Sequence, residues 1–162
     1  MTILGIDPGL ANCGYAVVLE EKGKLSALTW GCITTSAENE EPERLAAIHR
    51  AVEEIIKEHK PDIVACEKLL FNTNVTTAIS VGRAQGVVFL AAAGGGLPVC
   101  EYAPLEIKQA VAGYGGADKA QVKQMVKRLL GLSEDPKPDH AADALAVCIA
   151  YSASRRLKEA AA

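Results

Sequence analysis

The sequence predicts an α/β domain built on a five-stranded mixed sheet with helices on both faces. Three observations lead there. The apolar period changes along the chain in the order β-β-β-α-β-α-β-α-α-α. The first three strands follow one another with short connections, as in an antiparallel meander. A short apolar run without alternation, Ile63 to Cys66, then follows a helix, as expected of a strand buried on both faces.

Thr2 to Ile6 is an apolar run ended by Asp7-Pro8-Gly9, a strand meeting a turn. Gly14 to Leu19 and Leu25 to Thr35, separated by Glu21-Lys22-Gly23-Lys24, are the next two strands. Leu45, Ile48, Val52, Ile55 and Ile56 recur at helical spacing between Pro42 and His59, and Lys60-Pro61-Asp62 stops that helix. A second helix is predicted over Thr76 to Ala93, ended by three glycines, and a fifth strand over Pro98 to Tyr102. Pro104 to Val111 is a short helix with proline at its start. Beyond the Gly113-Tyr114-Gly115-Gly116 loop, Lys119 to Leu130 is helical, with Val122, Met125, Val126, Leu129 and Leu130 on one face. A last helix runs from about Asp139 to Arg156. There is no internal repeat and no linker that would divide the chain into two domains.

With 162 residues, 49% of them hydrophobic and 23% charged, the chain can bury a core of its own. A net charge of -3 advertises no polyanion partner globally, but the charge is uneven. Residues 38–58 hold seven acids against Arg44, Arg50 and Lys57. Residues 104–132 hold Lys108, Lys119, Lys123, Lys127 and Arg128 against two acids. That basic surface suits either a local grip on a polyanion or an ordinary solvated helix face. The five cysteines are odd in number and widely spaced, so they are expected as small core residues in a reducing cytoplasm. No basic region precedes the first apolar run, so no secretory leader is expected. The longest apolar stretch, Val87 to Cys100, is broken by glycines and Pro98, so no membrane span is expected there.

Asp7 and Glu67 each end an apolar strand, where a charge gains nothing from burial. If strand 63–66 lies parallel beside strand 2–6, the two carboxylates are neighbours and repel unless a cation sits between them. Each also has a plainer explanation, Asp7 as a turn aspartate and Glu67 as a solvated strand end. On the last helix His140 and Asp143 are three apart and Asp139 and Asp143 four apart, so either pair shares a face. Asp139 also fits as a first-turn acid favoured by the helix dipole. Asp143 sits among alanines that would lie close against a sheet, where a charge wants a partner. Hard oxygen ligands with room for water and substrate suit magnesium and phosphoryl-transfer chemistry. Phe71, in a polar segment, either stacks on a base or tucks into the core. Lys108 and Lys119 flank the glycine loop, reaching either phosphate or solvent.

Taken in order, these blocks resemble the RuvC family of Holliday junction resolvases. The match runs from Ile3-Leu4-Gly5-Ile6-Asp7-Pro8-Gly9 with Gly14-Tyr15, through Glu67 with Phe71 and Asn74, and through Gly82 and Gly86. It continues through Lys108-Gln109 and Asp118-Lys119-Ala120-Gln121-Val122 to Ala141-Ala142-Asp143-Ala144-Leu145-Ala146. A lone Gly-x-Asp-x-Gly would be weak, whereas all the blocks in this order are specific. The resemblance implies a single ribonuclease H-like nuclease domain over residues 1–157 with a short tail over 158–162. It also implies a homodimer that makes symmetrical, magnesium-dependent paired nicks in four-way DNA junctions during recombination and repair. By the same resemblance Asp7, Glu67 and Asp143 are catalytic metal ligands, and Lys108 and Lys119 act at the phosphate backbone. Phe71 and Asn74 also face DNA, the helix of Thr76 to Ala93 makes the dimer contact, and RuvA–RuvB branch-migration machinery is a partner.

The chain departs from the family pattern twice. The fourth ligand position, three before Asp143, is commonly aspartate and here is His140, with Asp139 one residue earlier. His140 is favoured, because Asp139 is rotated roughly 100° around the helix. A histidine ligand makes activity more pH-sensitive and tilts the preference from magnesium toward manganese. The position three after Glu67 is often phenylalanine and here is Leu70, followed by Phe71, so either could face the junction. The implied mechanism is two-metal-ion hydrolysis, with Lys119 offsetting charge on the phosphate, giving 5′-phosphate and 3′-hydroxyl ends. The competing classes are another ribonuclease H-like nuclease, a non-catalytic junction-binding protein on the same scaffold, and a sugar or acetate kinase, whose fold needs a much longer chain.

Overall fold

A computed structural model of the protein describes residues 1–70 and 75–162. Strands β1 (Thr2–Asp7), β2 (Asn12–Glu21) and β3 (Lys24–Thr34) form the antiparallel meander. Helix α1 (Glu41–His59) leads to β4 (Ile63–Glu67), and α2 (Val75–Gly94) to β5 (Val99–Tyr102). Three helices close the chain: α3 (Pro104–Ala112), α4 (Lys119–Leu130) and α5 (Asp139–Ala161). The sheet order is β3-β2-β1-β4-β5, with β4 parallel to both β1 and β5. The mixed five-stranded sheet is therefore as the apolar periods predict, and β1 is its central strand.

Alternation along the strands divides the core in two. Ile3, Ala16, Val18, Ile63 and Ala65 face α3, α4 and α5. Leu4, Ile6, Val17, Val64 and Cys66 face Ile48 and Val52 of α1 and Ala84, Val88 and Ala92 of α2. Cys13, Cys66 and Cys148 are buried as small core residues, whereas Cys32 and Cys100 are only half-buried, and all five are free thiols. The helix boundaries are set locally. Lys60 takes a left-handed conformation and returns its N–H to Ile56 O, and Asp118 caps α4 by accepting from Gln121 N at 2.8 Å.

Helix α5 lies almost in backbone contact with the sheet. A Cβ on Gly5 would come within 2.3 Å of Ala144 O, and one on Gly14 within 2.0 Å of His140 O. The alanines of α5 and these two glycines together permit that approach. Gly5→Ala is expected to destabilise the fold by about 1–3 kcal/mol, because the displaced neighbour is backbone. Thermal unfolding should show a drop of about 2–4 °C per kcal/mol.

The last helix extends past the predicted end at Arg156 to Ala161. Glu20, with a side chain only 3% exposed, pairs with Arg156 Nε at 2.9 Å and Arg155 Nη2 at 3.1 Å, and Arg155 also pairs with Glu159. Those ion pairs hold the final turns to the end of β2. Among the described residues, the segment Thr76–Gly94 of α2 is long and apolar enough, by length and composition, to cross a membrane. One face of this helix packs on the sheet, and Ile79 and Leu90 on the other are 47% and 62% exposed.

Candidate active site

The ends of β1 and β4 lie side by side, because Ile6 pairs with Cys66 in the parallel register. Asp7 and Glu67, one residue further on each strand, therefore emerge together. Helix α5 crosses above them and contributes His140 and Asp143. His140 Nδ1 stands 2.8 Å from Asp7 Oδ2. In the neutral ring with Nδ1 protonated, that nitrogen donates to the carboxylate and Nε2 keeps its lone pair. One ligand atom from each of Asp7, His140 and Asp143 falls within a 4.8 Å group.

Glu67 lies outside that group but is coupled to it. Burial, and then the charges of Asp7 and Asp143, push its carboxyl up to about 7. Burial likewise raises Asp7, against the opposing bond from His140. Carboxylates pushed toward protonation by one another are short of positive charge, and a donor set of acids with one imidazole fits a divalent ion of the magnesium or manganese type.

This electrostatics predicts a pH dependence of stability. Glu67 is raised to about 7 in the folded state, so between about 4.5 and about 7 the fold retains a proton that the unfolded chain has released, and Asp7, also raised, acts in the same direction. Without divalent metal, stability is expected to fall as pH rises through that window and to level off above it. Glu67→Gln should flatten the fall. Melting temperatures in chelator from about pH 5 to about pH 8 measure both.

Lys119, at the start of α4, places Nζ 3.2 Å from Asp143 Oδ2 and 4.0 Å from Asp139 Oδ2. Burial works against its charge, but the bond to Asp143 and the neighbouring acids outweigh that and hold its ammonium above the usual range. Lys108, from α3, lines a cavity of about 250 Å³ together with Glu67, Lys119 and Asp143. Asp139 turns away from the cluster: Lys123 Nζ holds its Oδ1 at 3.0 Å and lowers its carboxyl below the usual range. Leu70 is 48% exposed and lines a smaller cleft with Asp7, Pro8 and Glu67. Phe71 and Asn74 lie outside the described residues.

Two contributors were not legible as site residues in the sequence. Lys123 counted only as part of a basic face, yet it pairs with Asp139 beside the cluster. Arg44 counted only as a base within an acidic helix, yet it lines a cavity of about 370 Å³ that reaches His140.

Residues 3–151 match the family model described as "Crossover junction endodeoxyribonuclease RuvC". The chain belongs to the RuvC family. A RuvC of Desulfitobacterium hafniense is 55% identical over 157 residues, covering 97% of this chain and 95% of the relative. The solved structure of Thermus thermophilus RuvC superposes with a TM-score of 0.91 at 40% identity, over 98% of this chain and 97% of that one. The T. thermophilus RuvC solved in complex with a Holliday junction substrate gives 0.93 at 38% identity, over 98% and 96%. RuvC is an RNase H-like resolvase, which names the architecture described above. Within the RuvC frame, the cluster on β1, β4 and α5 stands at the C-terminal ends of two adjacent parallel strands, a usual place for a site in an α/β sheet.

Proposed function

We propose that Asp7, Glu67, His140 and Asp143 form the hydrolytic centre of this chain, which as a RuvC-family member is a crossover junction endodeoxyribonuclease resolving four-way DNA junctions. The observation that carries the assignment is the convergence of Asp7, His140 and Asp143 within 4.8 Å, beside a cavity lined by Glu67, Lys108 and Lys119. Two magnesium ions held by the four side chains, with manganese as the alternative, would supply a water of lowered pKa and a Lewis acid at the departing 3′ oxygen. Asp7, Glu67 and Asp143 bring the negative charge that such a pair of ions needs, and the hydrogen bond that His140 Nδ1 donates to Asp7 fixes the imidazole ring.

Lys119 already leans on Asp143 and faces the cavity where a phosphate would lie, so it offsets charge that develops on that phosphate. Lys108 holds the backbone in the same cavity. Cleavage then leaves a 5′-phosphate and a 3′-hydroxyl. Lys119→Ala is expected to slow cleavage by about 10²–10³-fold while leaving junction binding within a few-fold. Single-turnover cleavage beside a gel-shift titration separates the two effects.

The apolar outer face of α2, with Ile79, Leu90 and the open space over Gly86, supports a homodimer contact through this helix. A twofold there would give two sites that cut strands of like polarity. The same proposal takes residues 1–157 as one nuclease domain acting in the cytoplasm on junctions presented by RuvA–RuvB. Sedimentation of Leu90→Glu tests the dimer, since a charge on a buried apolar contact should favour monomers.

A further inference from the structure

We infer that the cavity on the His140 side of the site, between the β1–β2 turn, α1 and α2, holds a second phosphodiester of the substrate strand, with Arg44 as its cation. The inference rests on the junction-cutting function proposed above. This cavity measures about 370 Å³, and Asn12, Arg44, Thr76, Ser80 and His140 are among its lining residues. No acid lines it among the described residues, in contrast to the carboxylate cluster next door.

Arg44 is placed in advance for an anion. Its Nε donates to Thr35 Oγ1 at 2.8 Å, and the Thr35 hydroxyl donates in turn to Leu10 O at 2.5 Å. The guanidinium is thus anchored to the β1–β2 turn through one nitrogen. No ion pair among the described residues engages it, although α1 is rich in acids. A planar guanidinium held in this way presents a fork that matches phosphate oxygens, and the hydroxyls of Thr76 and Ser80 are of the type that contacts nucleic-acid backbone.

The two cavities share no lining residue and meet the cluster from its two ends. Glu67 and Asp143 border the cavity of Lys108 and Lys119, and His140 borders the cavity of Arg44. A strand laid across the four ligands therefore meets a cation on each side. That arrangement would fix the scissile phosphate between two grips, which is how positioning contributes to rate.

The test uses the full chain and a fluorescent synthetic four-way junction in chelator, so that binding is read without cutting. Arg44→Gln should weaken binding about tenfold near 0.1 M salt and lower the slope of log affinity against log salt by about one. Arg44→Lys should keep the slope, because the charge remains. Ser80→Asp puts a carboxylate into the cavity without touching the Thr35 anchor, and should weaken binding likewise with an unchanged melting temperature. Arg50→Gln, on the same helix outside the cavity, is the control and should change neither quantity. Unchanged affinity and slope in both Arg44→Gln and Ser80→Asp, with wild type binding the junction, would overturn the subsite alone. Wild type that failed to bind the junction would overturn the function on which it rests.

Discussion

Asp7→Asn is expected to bind a four-way junction with near-normal affinity and to cut it at least about 10³-fold more slowly. The change removes one negative charge and one oxygen ligand at the centre of the cluster while conserving volume. Asp7 is the residue on which the others converge: His140 bonds it at 2.8 Å, the charge of Asp143 acts on it, and its own charge acts on Glu67. A correctly held divalent ion contributes several kcal/mol of transition-state stabilisation, and about 4 kcal/mol corresponds to about 10³-fold in rate. Binding should persist because the proposed contacts to the phosphate backbone are made by Lys108, Lys119 and Arg44 and not by Asp7. Single-turnover cleavage and a binding titration on the same junction measure the pair of effects. Cleavage within tenfold of wild type would remove Asp7 from the metal centre.

The second large effect separates two neighbours. His140→Ala is expected to slow cleavage by at least about 10²-fold, and Asp139→Ala to change it by less than about threefold. The residues are adjacent in sequence, but one step of a helix turns the side chain by about 100°. His140 consequently reaches Asp7, whereas Asp139 is 61% exposed and is held by Lys123 at 3.0 Å. Removing His140 takes away a donor and frees the Asp7 carboxylate from the hydrogen bond that orients it. Removing Asp139 gives up solvent-screened pairs with Lys123 at 3.0 Å and Lys119 at 4.0 Å, which are worth little, and Lys119 keeps its closer bond to Asp143 at 3.2 Å. Metal titrations of both variants, read by the metal-dependent rise in melting temperature, test the same distinction without relying on turnover. The opposite pattern would move the fourth ligand to Asp139.

The sequence carried the sheet and most of the cluster because those features are written locally. The unalternating run of β4 and the short connections of the meander place β1 centrally, and that alone brings Asp7 beside Glu67. The three-residue spacing of His140 and Asp143 puts them on one helix face. Other features depend on contacts between distant segments. Gly5 and Gly14 read as unremarkable strand residues until α5 is seen to lie 2.3 Å and 2.0 Å from where their Cβ atoms would be. Helix α5 runs on to Ala161, and Glu20, 136 residues from Arg156, anchors its Arg155 and Arg156 to the end of β2, a contact that no helix stop signal encodes. Arg44 faces the site because α1 and α2 pack on the same side of the sheet, and its acidic sequence neighbours suggested only a solvated surface.

The most direct test of the account is cleavage of a four-way junction with all four strands end-labelled, in magnesium, in manganese and in chelator, beside duplex and RNA–DNA hybrid substrates. The account predicts metal-dependent, paired, symmetrical nicks in strands of like polarity that a ligase can seal, on the junction and not on duplex or hybrid. Tight junction binding without cutting in either metal, or cutting of the hybrid as fast as the junction, would contradict it.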